Sequence, residues 1–318
     1  MSQAARLVRD LFDQPWLWAW VGALAMWLAI SAFSGGGAGL EVMSAAMSFG
    51  TFFVIVALGQ MFVITTGPGN VDLSIPATMT LVGTVTMKVM AGSNAMIWVG
   101  LPLAVLIGLA IGTVNYLIIR LLSIPPIIAT LSSSFIYQSL AIWYNRGLRI
   151  KPPEMLADFA VGRIAGIPYL AILVVGLAAL MHIVLRRTIY GRAVLAIGQN
   201  AKAARLAGIN VALIRYVTYT MCATFAGICG FFLSAFSGGA ALNMGAEYLL
   251  ASIAVVVIGG TSVAGGFSNV PGLWGAALFM FLLVTMLNTF GFGAGVRMIL
   301  TGLIIIAVIG VASGRRRE

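Results

Sequence analysis

Residues Arg186 to Arg215 read RRTIYGRAVLAIGQNAKAARLAGINVALIR, a polar island holding six basic residues and no acid between two long apolar runs. Lysine and arginine concentrate in the short loops on the inner side of a membrane. The island therefore marks the inside, and every other segment is placed relative to it.

The rest of the chain is apolar enough to require a bilayer. Of 318 residues, 61% are hydrophobic and 8% charged, against about 25% charged in soluble domains. Runs near the roughly 20 residues that cross a hydrocarbon core recur along its length. An all-α polytopic membrane protein is expected, a single transmembrane domain over 1–318. About ten spans are predicted: 16–34, 42–65, 70–90, 96–119, 125–144, 167–185, 214–236, 248–265, 271–289 and 295–312. The first shows no cleavage pattern and is expected to remain as a span.

An even number of spans puts both termini on one side. Placing them in the cytoplasm with the island leaves twelve of the 18 basic residues inside, among them Arg120, Arg186, Arg187, Arg192, Lys202, Arg205 and Arg215. The net charge of +10 is thus read as insertion topology rather than a nucleic-acid surface. Cys222 and Cys229, seven apart on one predicted helix, are about 10.5 Å apart by helical rise, too far for a disulfide. They read as small packing residues.

Two interrupted segments face opposite sides in this topology. Thr66 to Leu81 reads TGPGNVDLSIPATMTL and Ser237 to Val257 reads SGGAALNMGAEYLLASIAVVV. Each passes from a glycine-rich break through one acid, Asp72 or Glu247, into a helix of small residues. This predicts an inverted-topology repeat, 42–144 against 214–312, with two broken helices beside a solute route. Ionisable groups in a membrane mark functional sites by default, yet Asn70, Asp72 or Ser74 also suits a helix cap. Gln60, Thr65, Asn115, Tyr116 and Gln138 are polar positions on apolar spans, suited to hydrogen-bonding a hydroxylated solute or to tying helices together. The glycines of Ile258 to Gly266, IGGTSVAGG, allow close packing and weaken a helix.

Catalytic equipment is not visible. The sequence holds no G-x-x-x-x-G-K-[ST] loop for a nucleotide, a single histidine, His182, and no carboxylate pair for acid–base work. No catalytic, cofactor or metal residues are assigned, and energy for active transport is expected from another subunit.

Three stretches then carry a resemblance. YGRAVLAIGQNAKAARLAGINV (Tyr190 to Val211) resembles the cytoplasmic coupling loop of bacterial ABC-importer permeases of the ribose, xylose, arabinose and galactose class. It matches through Gly191, Arg192, Ala196, Gly198, Asn200, Ala203, Ala204, Gly208 and Ile209. EYLLASIAVVVIGGTSVAGGFSNVPG (Glu247 to Gly272) is similar to a second signature through Ile253, Ala254, Gly259, Gly260, Thr261, Ser262, Gly265 and Gly266. TGPGNVDLSIP (Thr66 to Pro76) resembles a third, with two inserted residues and Pro76 where the family has glycine.

The resemblance implies a permease subunit in the bacterial inner membrane, paired with an identical or homologous permease. It also implies cytoplasmic ATP-binding subunits, which would carry ATP and Mg, and a periplasmic solute-binding protein. Residues 186–215 would form the coupling loop. There Asn200 and Gly208 would bound a short helix, Ala203 and Ala204 would give it a smooth surface, and Lys202 and Arg205 would keep it out of the bilayer. Gln60, Thr65, Asn70, Asp72, Ser74, Asn115, Gln138, Glu247, Thr261 and Ser262 are candidates for the translocation pathway or its gate. A self-contained secondary carrier and an ABC permease for branched-chain amino acids remain as alternatives.

Overall fold

The computed structural model describes residues 14–33, 39–145, 150–293, 295–297, 299–304 and 306. The fold is all-α: α1 Pro15–Phe33, α2 Gly39–Thr65, α3 Ile75–Met90, α4 Ile97–Leu122, α5 Pro126–Asn145, α6 Glu154–Val161, α7 Tyr169–Arg187, α8 Ile189–Gln199, α9 Ala201–Leu206, α10 Val211–Phe236, α11 Tyr248–Ile258 and α12 Pro271–Thr289. Residues 295–297 and 299–304 are also helical. The end of the expected tenth span, 307–312, lies outside the described residues, as do Arg6, Arg9 and the basic residues 315–317.

Among the described residues, six helices are long and apolar enough to cross a membrane: Trp16–Phe33, Gly39–Thr65, Asn94–Leu122, Tyr169–Arg187, Val211–Phe236 and Pro271–Thr289. The segments Ile75–Met90 and Tyr248–Ile258 are shorter apolar helices. The helix expected from residue 70 starts only at Ile75, and the one expected over 248–265 stops at Ile258, where the glycines begin.

Helices α2 and α10 form the centre of the bundle and are buried along most of their length, whereas α1, α4 and α7 are buried over only a minor part of theirs. Around this pair, α3 packs on α10 and α5, α11 on α2, and α12 on α1 and α2. Lipid offers no hydrophobic drive for helices to associate, so close packing of small residues must supply the attraction. Gly100, Ala104, Gly108 and Gly112 recur every fourth residue along α4 and are all buried. A Cβ at Gly108 would lie 2.6 Å from Thr224 Cα on α10, and one at Gly112 would lie 2.8 Å from Tyr219 O. Cys222 has the packing role expected of it: it is buried and free, and its Cα would be 2.8 Å from a Cβ at Gly59 of α2.

One end of the bundle gathers most of the described basic residues. Arg120 sits in the last turn of α4 and Arg186 and Arg187 in the last turn of α7, where cations favour the helix dipole. The opposite end carries α6 and a two-residue hairpin that the sequence reading did not anticipate. In it β1 (Arg163–Ile164) pairs antiparallel with β2 (Ile167–Pro168). Ala165 and Gly166 turn it with φ of 49° and 82°, the double positive φ of a type I′ turn. Ser44 Oγ of α2 holds it through Gly166 O at 2.6 Å.

Candidate functional site

Two neighbouring features make up the site: the α8–α9 segment and the non-helical stretch 66–74 between α2 and α3.

The α8–α9 segment is built by local caps. Thr188 Oγ1 accepts from Gly191 N at 3.1 Å and starts α8. Asn200 Oδ1 accepts from Lys202 N and Ala203 N, each at 3.0 Å, and starts α9. At the other end of α9, Ile209 N reaches Ala204 O at 3.0 Å across Gly208, whose φ is 86°. That is the left-handed closure glycine favours. Ala204 is buried against Ile197 and Val211, so α9 has a defined inner face. Lys202, Ala203, Arg205 and Gly208 point outward, as does Arg192 of α8. Leu206, which the sequence reading did not single out, is 90% exposed.

Underneath, α8 is held to the bundle. Tyr190 stacks on Phe62 of α2 with ring centroids 6.0 Å apart, and its hydroxyl pairs with Thr218 Oγ1 at 2.9 Å. Burial pushes the Tyr190 phenol up to about 12, so this contact stays neutral at physiological pH. Gly191 is buried where a Cβ would overlap the carbonyls of Val184 and Leu185.

The stretch 66–74 threads through the protein with several of its polar groups bonded to neighbouring helices, while Asp72 Oδ2 is buried without a hydrogen-bond partner. Asp72 N donates to Gln60 Oε1 of α2 at 3.3 Å, and Leu73 N to Thr130 Oγ1 of α5 at 3.0 Å. Asp72 Oδ1 accepts from Ser74 N at 2.8 Å and Ser74 Oγ at 2.7 Å. Ser74 is the residue before α3 but makes no side-chain cap; Asp72 closes a turn ahead of the helix instead. Asn115 Nδ2 of α4 donates to Ser74 Oγ at 2.8 Å, and its Oδ1 accepts from Ser133 Oγ at 2.7 Å and Tyr137 OH at 2.9 Å. Asn70 bonds Gly67 O at 3.1 Å and accepts from Tyr219 OH of α10 at 3.3 Å.

Gln60, Thr65, Asn70, Asp72, Ser74 and Asn115 are therefore all buried. Gln60, Asp72, Ser74 and Asn115 join through hydrogen bonds that draw in α2, α4 and α5, and Asn70 is tied separately to Tyr219 of α10. Irregular backbone at membrane depth survives only when protein or enclosed water covers it, and here these side chains do so. The remaining candidates lie elsewhere. Gln138 Nε2 donates to Leu242 O at 2.8 Å and ties α5 to the second non-helical stretch. Glu247 is exposed at the start of α11. Buried Thr261 accepts from Asn269 N at 3.4 Å, while Ser262 N bonds Phe267 O in the loop after α11.

The two features touch at one point. Thr65 O, the last carbonyl of α2, accepts from Gly266 N at 3.0 Å. A Cβ at Gly198 of α8 would overlap both atoms. Gln199 Nε2 donates to Gly266 O and Arg215 Nη2 to Thr66 O, each at 3.4 Å. Of these residues, the sequence reading had placed Thr65 and Gly198 in different groups, read Arg215 only as a basic residue of the inner side, and gave Gln199 no role of its own. Their shared signal was the presence of glycines in each of three motifs.

The sequence is similar to those of known proteins. Residues 42–309 match the family described as branched-chain amino acid transport system / permease component. The chain is 31% identical over 262 residues, 80% of each chain, to the ribose import permease protein RbsC of Escherichia coli (strain K12). It is 30% identical over 280 residues, 83% of this chain and 82% of the relative, to the probable ABC transporter permease protein y4mJ of Sinorhizobium fredii. It is also 30% identical over 265 residues, 80% of this chain and 78% of the relative, to the autoinducer 2 import system permease protein LsrD of Photorhabdus laumondii. No solved structure matches. With the match covering 42–309, the chain belongs to the branched-chain amino acid transport system / permease component family.

Proposed function

We propose that the chain is the permease subunit of an ATP-binding cassette importer of the bacterial inner membrane. It translocates a sugar or sugar-like solute by alternating access, driven by a partner ATPase docked on α8 and α9. The observation that carries this is the outer face of α9. Leu206 is 90% exposed beside Lys202, Ala203 and Arg205, in a chain whose sequence holds no nucleotide loop. A leucine presented beside two cations suits an apolar groove with an acidic rim, and burying it contributes about 1.5 to 3 kcal/mol. The printed names of the relatives, import permeases for ribose and autoinducer 2 and an ABC transporter permease, support the class.

In this reading about ten spans cross the membrane, with both termini and α8–α9 in the cytoplasm. The halves 42–144 and 214–312 are pseudo-symmetric. Their element order supports this: α2 of 27 residues, a break and α3 of 16 compare with α10 of 26, a break and α11 of 11. A second permease copy or homologue completes the pathway, a periplasmic solute-binding protein delivers the solute, and ATP with Mg is held by the ATPase. Gln60, Asn70, Asp72, Ser74 and Asn115 shape the gate from inside the wall of the pathway. Gln138, Glu247, Thr261 and Ser262 belong to the second break and the loop after α11.

Reconstitution with and without the cognate ATPase tests the reading: uptake is expected only with ATPase and ATP. Gradient-driven uptake by the permease alone would instead establish a secondary carrier. Arg205→Glu and Leu206→Asp are each expected to weaken ATPase copurification about 30-fold, the equivalent of about 2 kcal/mol at an interface anchor. Membrane insertion should stay intact. A branched-chain amino acid as solute is the second reading, favoured by the family's description; ligand binding by the cognate solute receptor separates the two.

A further inference from the structure

The contact of Gly198, Thr65 and Gly266 joins three segments without an intervening side chain. Thr65 is fully buried and ends α2. Gly265 and Gly266 have φ of 84° and 74°. A Cβ at Gly265 would lie 2.5 Å from Gly67 Cα, and one at Gly266 would lie 2.9 Å from Gln199 N. Backbone pressed on backbone has no rotamers to absorb a displacement, so force crosses it without loss into side-chain motion.

What lies beyond the contact differs in stiffness. Gly67 and Gly69 have φ of 122° and 77°, and Pro68 and Gly69 are exposed. Past them, Asp72 and Ser74 are fastened to α2 and α4 through Gln60 and Asn115. The stretch is thus clamped at both ends and thin in the middle, the arrangement of a hinge between two fixed bodies.

Resting on the reading as an ABC permease, we propose that Gly198, Thr65 and Gly266 are positioning residues that move as one rigid block. Displacement of α8 and α9 by the ATPase is handed through this block to the end of α2 and to the loop joining α11 to α12. The first break then bends at Gly67–Gly69 while its Asp72 end stays anchored. The docked segment therefore acts on both halves at one point.

Two variants of the full chain, assembled with its ATPase in vesicles, test this. Gly198→Ala drives a methyl wedge into the block. ATP hydrolysis is expected to stay within twofold of the parent while ATP-driven uptake falls at least tenfold. The second variant, Gln199→Ala, removes the side-chain bond to Gly266 O at 3.4 Å and leaves the backbone contact whole. It is expected to keep uptake within twofold of the parent. Unchanged uptake in Gly198→Ala would overturn the proposal. So would a tenfold loss of uptake in Gln199→Ala, because a side chain and not the backbone contact would then carry the movement. Absence of ATP dependence in the parent protein is a separate result that defeats the permease reading itself.

Discussion

Gly112→Leu is expected to prevent the bundle from assembling. The position faces α10 where a Cβ would already lie 2.8 Å from Tyr219 O and overlap Thr220 Cα. The obstacle is main chain and cannot rotate aside, so α4 must separate from α10. Forcing extra methylenes into a packed interface costs about 1 to 3 kcal/mol where side chains can give, and more where they cannot. Total stabilities run at roughly 5 to 15 kcal/mol. Separating α4 also pulls Asn115 away from Ser74. The measurement is the yield of monodisperse protein on size exclusion in mild detergent, expected to drop to a small fraction of the parent. Val114→Leu, at a position 43% exposed, is the matched control and should leave the yield unchanged. Equal yields for both variants would show that the α4–α10 contact is not what holds the helix.

Asn115→Ala is expected to be nearly as damaging by a different route. Three hydrogen bonds end on that amide, from or to Ser74, Ser133 and Tyr137. Side-chain bonds between helices in a bilayer average about 0.6 kcal/mol and reach about 1.7, so three contribute about 2 to 5 kcal/mol. The expected result is a melting temperature lower by several degrees in detergent, with uptake falling as the start of α3 loosens. Asn115→Asp keeps the acceptor for Ser133 and Tyr137 but loses the donor to Ser74, and should lie between parent and alanine variant. If Asn115→Ala melts like the parent, the network is ornamental to stability.

Much of the architecture was legible because it depends on local composition. Span length reports hydrocarbon thickness, and helix ends were placed within a few residues at α2, α5, α10 and α12. The caps of α9 at Asn200 and Gly208 follow from chemistry confined to nine residues. What escaped depends on partners far away in sequence. Residues 70–74 looked like the start of a helix, but the amides of Asp72 and Leu73 are taken by Gln60 and by Thr130, the latter 57 residues later. A segment whose donors are satisfied from outside has no need of a helix, and no periodicity signals that. The hairpin at 163–168 is too short to leave an alternating pattern. The partners of Asp72 were equally hidden: the sequence shows an acid beside glycines, while the groups that hold it come from Gln60 of α2 and, through Ser74, from Asn115 of α4. The meeting of Gly198 with Thr65 and Gly266 spans three motifs, each readable alone, whose proximity exists only once α2, α8 and the loop after α11 are assembled.

Helix α1 has a consequence for how the protein is made. Its main neighbour is α12, and Trp20 Nε1 donates to Pro271 O across a separation of 251 residues. At roughly 5 to 20 residues per second, the ribosome delivers that partner about 10 to 50 s after α1 has left it. During that interval α1 must reside in lipid with no helix to lean on along most of its length. Its sequence, PWLWAWVGALAMWLAISAF, is apolar on every side, which lets it wait alone without exposing a polar face. Helix α10, studded with Thr218, Thr220, Ser234 and two cysteines, is made when α2 and α4 are already in place to receive it. Order of synthesis and distribution of polarity are therefore matched, and moving a polar residue onto α1 would be felt first at the translocon and only later in the finished bundle.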